Sequence, residues 1–164
     1  RRRRRRSKKT RTTMIIREAN KFDLPEVVDM LRNFRGQTPI DMMKECNNEE
    51  YVNKMFHHIL LGGGVAYIAE KDGVAVGMIA GVKDHNIWDP DIKMLRELMF
   101  WVEEEHRGST AGFKLIKAYN KKAQELVDED TIKMYTMTKM TSSPDLDFAR
   151  FGYTKSEEVW VAGI

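Results

Sequence analysis

The chain has 164 residues, of which 41% are hydrophobic and 32% charged, and a formal net charge of +3. A chain of this length buries about 70% of its unfolded surface in one compact domain, which leaves no case for two. The long uncharged stretch Phe56 to Ala69 holds two His and three consecutive Gly and is too short and broken for a membrane span. A single cysteine, Cys46, excludes an intrachain disulfide framework. No apolar run follows the basic leader, so the reading is a soluble cytoplasmic protein without a secretory signal.

The net charge conceals an asymmetry. Nine of the 28 basic residues and none of the 25 acids fall in residues 1–13, so the rest of the chain carries 19 basic against 25 acidic side chains, a net of −6. Residues 1–13 therefore read as a disordered basic arm or tag, and residues 14–164 as the folded domain. Two readings of the arm stay open. One is a solvated tail or tag; the other is a polyanion-binding arm that lays Arg and Lys of residues 1–11 against nucleic-acid phosphates.

In chain order, Met14 to Ala19 is a β-like run. Asp23-Leu24-Pro25-Glu26 then supplies a helix start with Asp23 as N-cap, and Leu24, Val27, Val28, Leu31 and Phe34 form one apolar face up to the break at Gly36 to Pro39. Asn48 opens a second helix, with Val52, Met55, Phe56, Ile59 and Leu60 inward, that ends at Gly62-Gly63-Gly64. Val65 to Glu70 and Val74 to Val82 are strands joined by Lys71-Asp72-Gly73, a tight-turn signal.

A loop with Trp88 leads to a long strand, Lys93 to Glu103. Simple alternation there puts Leu98, Phe100 and Val102 on one side and Glu97, Met99 and Trp101 on the other. A helix over 109–127 points Ala111, Leu115, Ile116, Tyr119, Ala123 and Leu126 at the sheet. Thr131 to Lys139 reads as a strand, Pro144 to Arg150 as a short helix, and Tyr153 to Gly163 as a final strand or hairpin. Trp88 reads as a pocket cap or a plug on the sheet edge. The four histidines show no metal-ligand spacing, so no metal is expected.

The most informative junction is Trp101 to Gly112, where a strand passes through small residues into a helix. The first N–H groups of such a helix lack partners and lie at its positive dipole end, which suits a phosphate or pyrophosphate.

Four local matches then carry a resemblance: Ile16-Arg17-Glu18-Ala19 with Asp23-Leu24; Ala66 to Gly77; Val102 to Gly112; and Phe148-Ala149-Arg150-Phe151-Gly152-Tyr153. In this order they resemble the GNAT superfamily of N-acetyltransferases, including small phage-type members. The resemblance implies a mixed α+β fold in which a mostly antiparallel sheet of six or seven strands, splayed between strands 4 and 5, is flanked by about four helices. It implies direct acetyl transfer from acetyl-CoA to a primary amine, with Trp101 and Val102 offering backbone to the pantetheine arm. Arg107, Gly108, Ser109, Thr110, Ala111 and Gly112 would form the pyrophosphate cradle. The acceptor is a small-molecule or protein amine, and a homodimer is left open.

The chain departs from the family pattern in two informative places. Thr110 stands where the family usually has its middle Gly, and Phe148 where a general-acid Tyr is common, which passes that role to Tyr153, Tyr135 or water. For the base, Glu97 comes first and Glu103 second; the competing reading of each is a strand or solvated carboxylate. These departures keep a second function open, a non-catalytic GNAT-like binding or structural module.

Overall fold

The computed structural model describes residues 13–163, so residues 1–12, which hold the basic side chains of the arm, lie outside the described residues. The chain runs β1 (Met14–Glu18), α1 (Leu24–Gly36), α2 (Asp41–Lys44), α3 (Glu49–His58), β2 (Gly64–Lys71), β3 (Val74–His85), β4 (Lys93–Val102), α4 (Ala111–Asp128) and β5 (Met134–Thr136). The strands form one sheet in sequence order. All neighbours are antiparallel except β4 and β5, which are parallel.

Apolar patterning accounts for the layers. One face of the sheet packs on α4, whose Leu115, Ile116, Tyr119 and Ala123 meet Ile79 and Leu95, while α1 and α3 cover the other with Val27, Met30 and Phe56 against Ile68, Met78 and Trp101. Strands β2 and β3 are thus buried on both faces. Asp72 and Gly73 both take positive φ, 54° and 78°, as the tight hairpin between them requires.

The helix starts are half as expected. Asn48 caps α3 by accepting the Tyr51 N–H at 2.9 Å. Asp23, however, makes no side-chain cap for α1. Its carboxylate accepts two hydrogen bonds from Arg17 at 2.7 and 2.8 Å and one from the Asn20 N–H at 2.8 Å, and Asn20 caps the turn of 3-10 helix Lys21–Asp23 that leads into α1. Arg17 also reaches Glu70 at 2.9 Å, so this half-buried ion-pair cluster fastens β1 to β2 and to the entry of α1. Its guanidinium holds the Asp23 carboxyl below the usual carboxylate range.

Among the described residues five strands form, where six or seven are expected. Only Met134 to Thr136 of the expected Thr131–Lys139 strand joins the ladder, and residues 153–163 form no strand at all. After Thr136 the chain leaves β4 and pairs with it no further. The expected helix at Pro144 to Arg150 shrinks to a 3-10 turn, Phe148–Phe151. Trp88 neither caps nor plugs, standing 87% exposed on its loop. Among the described residues, no helix is long and apolar enough to cross a membrane.

Candidate active site

The site is built where β4 loses β5. The two pair only over Met94 to Arg96, and beyond that the outer edge of β4 is open. The Glu103 N–H donates to the Val76 carbonyl at 2.9 Å, so residue 103 faces β3. By the alternation of an antiparallel ladder, the backbone groups of Phe100 and Val102 face the open edge. Trp101, expected to offer backbone there, instead turns its N–H and C=O into the ladder beside Met78. Phe100, which the sequence reading passed over, takes its place.

A β-bulge reverses one face of β4. Opposite Ala80 and Gly81 stand Met99 and Glu97, so Leu98 has no partner on β3. Leu98 consequently joins Met99 and Trp101 on the α1 side, while Phe100 and Val102 pack with Leu95 on the α4 side. Glu97 goes with the latter group. Gly81, its cross-strand partner, lies directly under the Tyr119 hydroxyl of α4 and has no room for a Cβ. Simple alternation had set Glu97 beside Met99 and Trp101; the extra residue inverts that assignment.

Glu97 is 6% exposed and accepts the Thr138 N–H at 3.0 Å, across the gap that opens between β4 and the chain after β5. Burial pushes its carboxyl up to about 7, against the pull of Thr138. Around it stand Tyr119, Tyr135 and Tyr153. Tyr119 has a buried hydroxyl without a hydrogen-bond partner, and Tyr153 donates to Asn120 Oδ1 at 2.5 Å. Burial, with Glu97 as a lesser cause, raises both Tyr119 and Tyr153 well above the ordinary phenol value. Phe148 packs on the Tyr153 ring at 6.0 Å.

At the far end of β4, Gly108 takes φ +82° with open space where a Cβ would be, and α4 begins three residues later. Ser109 Oγ accepts the Ala111 N–H at 3.2 Å, whereas the N–H groups of Thr110, Gly112 and Phe113 have no partner among the described residues. Unpartnered donors at a helix N-terminus beside an open strand edge suit a phosphate, which makes this the candidate cradle. Gly112 serves packing as well, since a Cβ there would meet the Phe100 ring at 3.4 Å and Val102 at 3.7 Å.

Arg107 does not reach into this cradle. Its guanidinium lies 4.5 Å over the Trp101 ring, donates through Nε to the Val102 carbonyl at 3.0 Å and through Nη2 to Gln37 Oε1 at 3.3 Å. Gln37 in turn donates to Glu104 at 2.7 Å and accepts at its backbone carbonyl from Ser142 at 2.6 Å. Asn33 donates to both oxygens of Glu103, at 3.1 and 3.2 Å. The end of α1, the β4–α4 loop and the loop at Ser142 thus form one polar rim carrying two carboxylates. Sequence reasoning singled out Glu103 and Arg107 but not Asn33, Gln37 or Ser142, which have no signature outside their contacts. Glu97 and Glu103 lie on opposite sides of β4, so they are not a pair.

Comparison with known proteins agrees with this geometry. The model of the Acetyltransferase (GNAT) family matches residues 28–153. No curated protein matches the sequence. Among solved structures, a GCN5-related N-acetyltransferase from Ralstonia eutropha JMP134 is similar with a TM-score of 0.69 at 17% identity, covering 92% of this chain and 98% of that one. A predicted acetyltransferase with acetyl-CoA from Clostridium acetobutylicum gives 0.65 at 13% identity, over 92% and 96% of the two chains. An aminoglycoside acetyltransferase from an uncultured soil metagenomic sample gives 0.63 at 19%, over 91% and 93%. With a family match over most of its length and the splayed sheet that such a match calls for, the chain belongs to the GNAT family of acetyltransferases.

Proposed function

We propose that this acyltransferase moves an acetyl group from acetyl-CoA to the primary amine of a cationic small molecule by direct transfer. The observation that carries the reading is the outer edge of β4 at Phe100 and Val102, unpaired with any strand, running straight into the free N–H groups at the start of α4. That arrangement suits a ligand with an amide-bearing arm and a pyrophosphate. The cradle is Gly108, Ser109, Thr110, Ala111 and Gly112; Arg107, expected among them, stands beside it and would free the Val102 carbonyl for the cofactor by letting go of it.

In the transfer, the amine nitrogen attacks the thioester carbon, the C–N bond forms, the C–S bond breaks and the acceptor loses a proton. Glu97 is the base. It is poised to take a proton near neutral pH, and its burial makes an intervening water the natural carrier. Tyr153 is the candidate acid toward the leaving thiolate, once its hydroxyl leaves Asn120; Glu103 is the second candidate base. The rim of Glu103 and Glu104 favours a cationic acceptor. A neighbouring fold supports the class, being an aminoglycoside acetyltransferase in complex with sisomicin.

A second reading has its own support. The Val102 carbonyl is occupied by Arg107, and Phe148 packs where the family commonly has a tyrosine, which suits a module that binds without catalysing. Calorimetric titration with acetyl-CoA, followed by CoA release across a panel of polyamines, aminoglycosides and peptide amines, separates the two. No binding of acetyl-CoA ends the first reading; steady CoA release with any amine ends the second.

A further inference from the structure

At the end of the sheet opposite the cradle, where β4 begins, a cavity of about 280 Å³ is lined by His58, Gly63, Lys83, His85, Lys93 and Thr131 among others. The length of β4 separates it from the start of α4, about 30 Å at the usual rise of a strand. Nothing in the acetyl-transfer reading uses it.

The lining contains four side chains that carry or can carry positive charge and no acid. Lys83 and His85 alternate with Asp84 along β3, and His85 stands directly across from Lys93 in the ladder. Lys83 and His85 thus share a sheet face with Lys93. Folding alone gives no reason to gather two lysines and two histidines with no acid among them in a domain whose body is net acidic.

Neither lysine ammonium group makes an ion pair or hydrogen bond among the described residues, and the His58 ring has no polar partner either. Of the acids nearest in sequence, Asp84 pairs with Arg96 at 3.0 Å and Asp89 accepts the Asp91 N–H at 3.0 Å, and Asp91 forms no ion pair with either lysine among the described residues.

Two of the side chains are held in place. The His58 ring lies so close upon the Cα of Gly63 that a Cβ there would overlap it. The His85 Nδ1 is 2.8 Å from the Pro90 carbonyl, so it carries the proton and donates, leaving Nε2 free.

We propose that this cavity is a binding site for a phosphate or pyrophosphate group, held by Lys83 and Lys93 with His58 and His85, and separate from the cradle on α4. Charge-assisted hydrogen bonds from the two lysines, with the two imidazole rings beside them, suit a multiply charged oxyanion, and the volume admits one. The phosphate could belong to a small molecule or to a nucleic-acid backbone.

The test uses the full chain, its histidine ring signals followed by NMR during titration with sodium pyrophosphate at constant ionic strength. The ring signals of His58 and His85 move together and saturate, and the Lys83→Met, Lys93→Met double variant weakens that response by about tenfold or more. His106, beside the start of α4, serves as an independent reporter of the other anion site and responds alike in both proteins. Repeating the titration with a nucleoside diphosphate and with a short oligodeoxynucleotide assigns the source by which of them saturates the same two signals. Signals of His58 and His85 that stay unmoved up to about 20 mM pyrophosphate, or that move equally in the double variant, overturn the proposal.

Discussion

The Glu97 carboxylate accepts the backbone N–H of Thr138 at 3.0 Å, one residue beyond the last pairing of β4 and two beyond that of β5. A buried acid therefore spans the point at which the two strands part, and its protonation is coupled to whatever enters the gap.

Replacing Glu97 with Gln keeps an acceptor for Thr138 and removes the proposed base. Turnover should fall by about 100-fold or more, and the rise of kcat/KM centred near pH 7 should vanish from the pH profile. An unchanged profile would assign the base elsewhere, with Glu103→Gln the next variant to measure.

The same residue sets a stability trend. Its folded-state carboxyl titrates at about 7 against an ordinary 4.5, so the folded protein holds a proton that the unfolded chain has lost across that interval. Stability should fall as pH rises from 4.5 to 7 and level off above it. Asp23 acts in the opposite sense, its depressed carboxyl losing its contribution as pH drops below the ordinary carboxylate range. Urea denaturation across pH separates the two, because Glu97→Gln flattens only the upper interval.

Tyr119 carries a buried hydroxyl without a partner, lying directly over Gly81. Tyr119→Phe should leave stability unchanged or raise it by about 1 kcal/mol, since it removes an unsatisfied buried group. Gly81→Ala should cost about 2 kcal/mol through overlap with that hydroxyl, and the double variant should recover much of the loss. Denaturant midpoints of the four proteins give the coupling directly.

Glu103 and Glu104 lie on the rim with Asn33 and Gln37. The double change to Gln should raise KM for a cationic amine severalfold while leaving the Kd for acetyl-CoA unchanged. A shift confined to acetyl-CoA would move these acids to the cofactor side of the cleft.

Much of the fold was legible because it rests on local chemistry. Asp72-Gly73 has one favoured turn, Asn48 one obvious capping role, and α4 a clean apolar stripe, and all three form as read. What failed depends on contacts distant in sequence. Asp23 carries a capping residue's signature, yet Arg17 takes it for an ion pair. Trp101 and Glu97 sit on opposite sides of an extra residue, and no composition signal marks Leu98 as that residue. The C-terminal run Val159 to Val161 reads as a strand on β propensity, yet it pairs with no strand and stands exposed.

The basic arm gives a further test. If its Arg and Lys bind polyanions, a chain beginning at Met14 should bind acetyl-CoA as the full chain does and lose retention on heparin. The full chain's affinity for duplex DNA should fall with salt at about 0.9 counterion per phosphate contact. Equal retention by both would place the polyanion site in the folded body.

Leu98 makes the width of the cleft a matter of counting. Removing that one residue would leave every other β4 side chain on its present face, because Glu97 and Met99 already stand opposite neighbouring residues of β3. The strand would then lose its bend, and β5 could continue alongside it past Thr136. Such a shortened chain should fold with a better-paired sheet and no slot for a cofactor, so that the capacity to bind and the completeness of the ladder trade against each other through a single position.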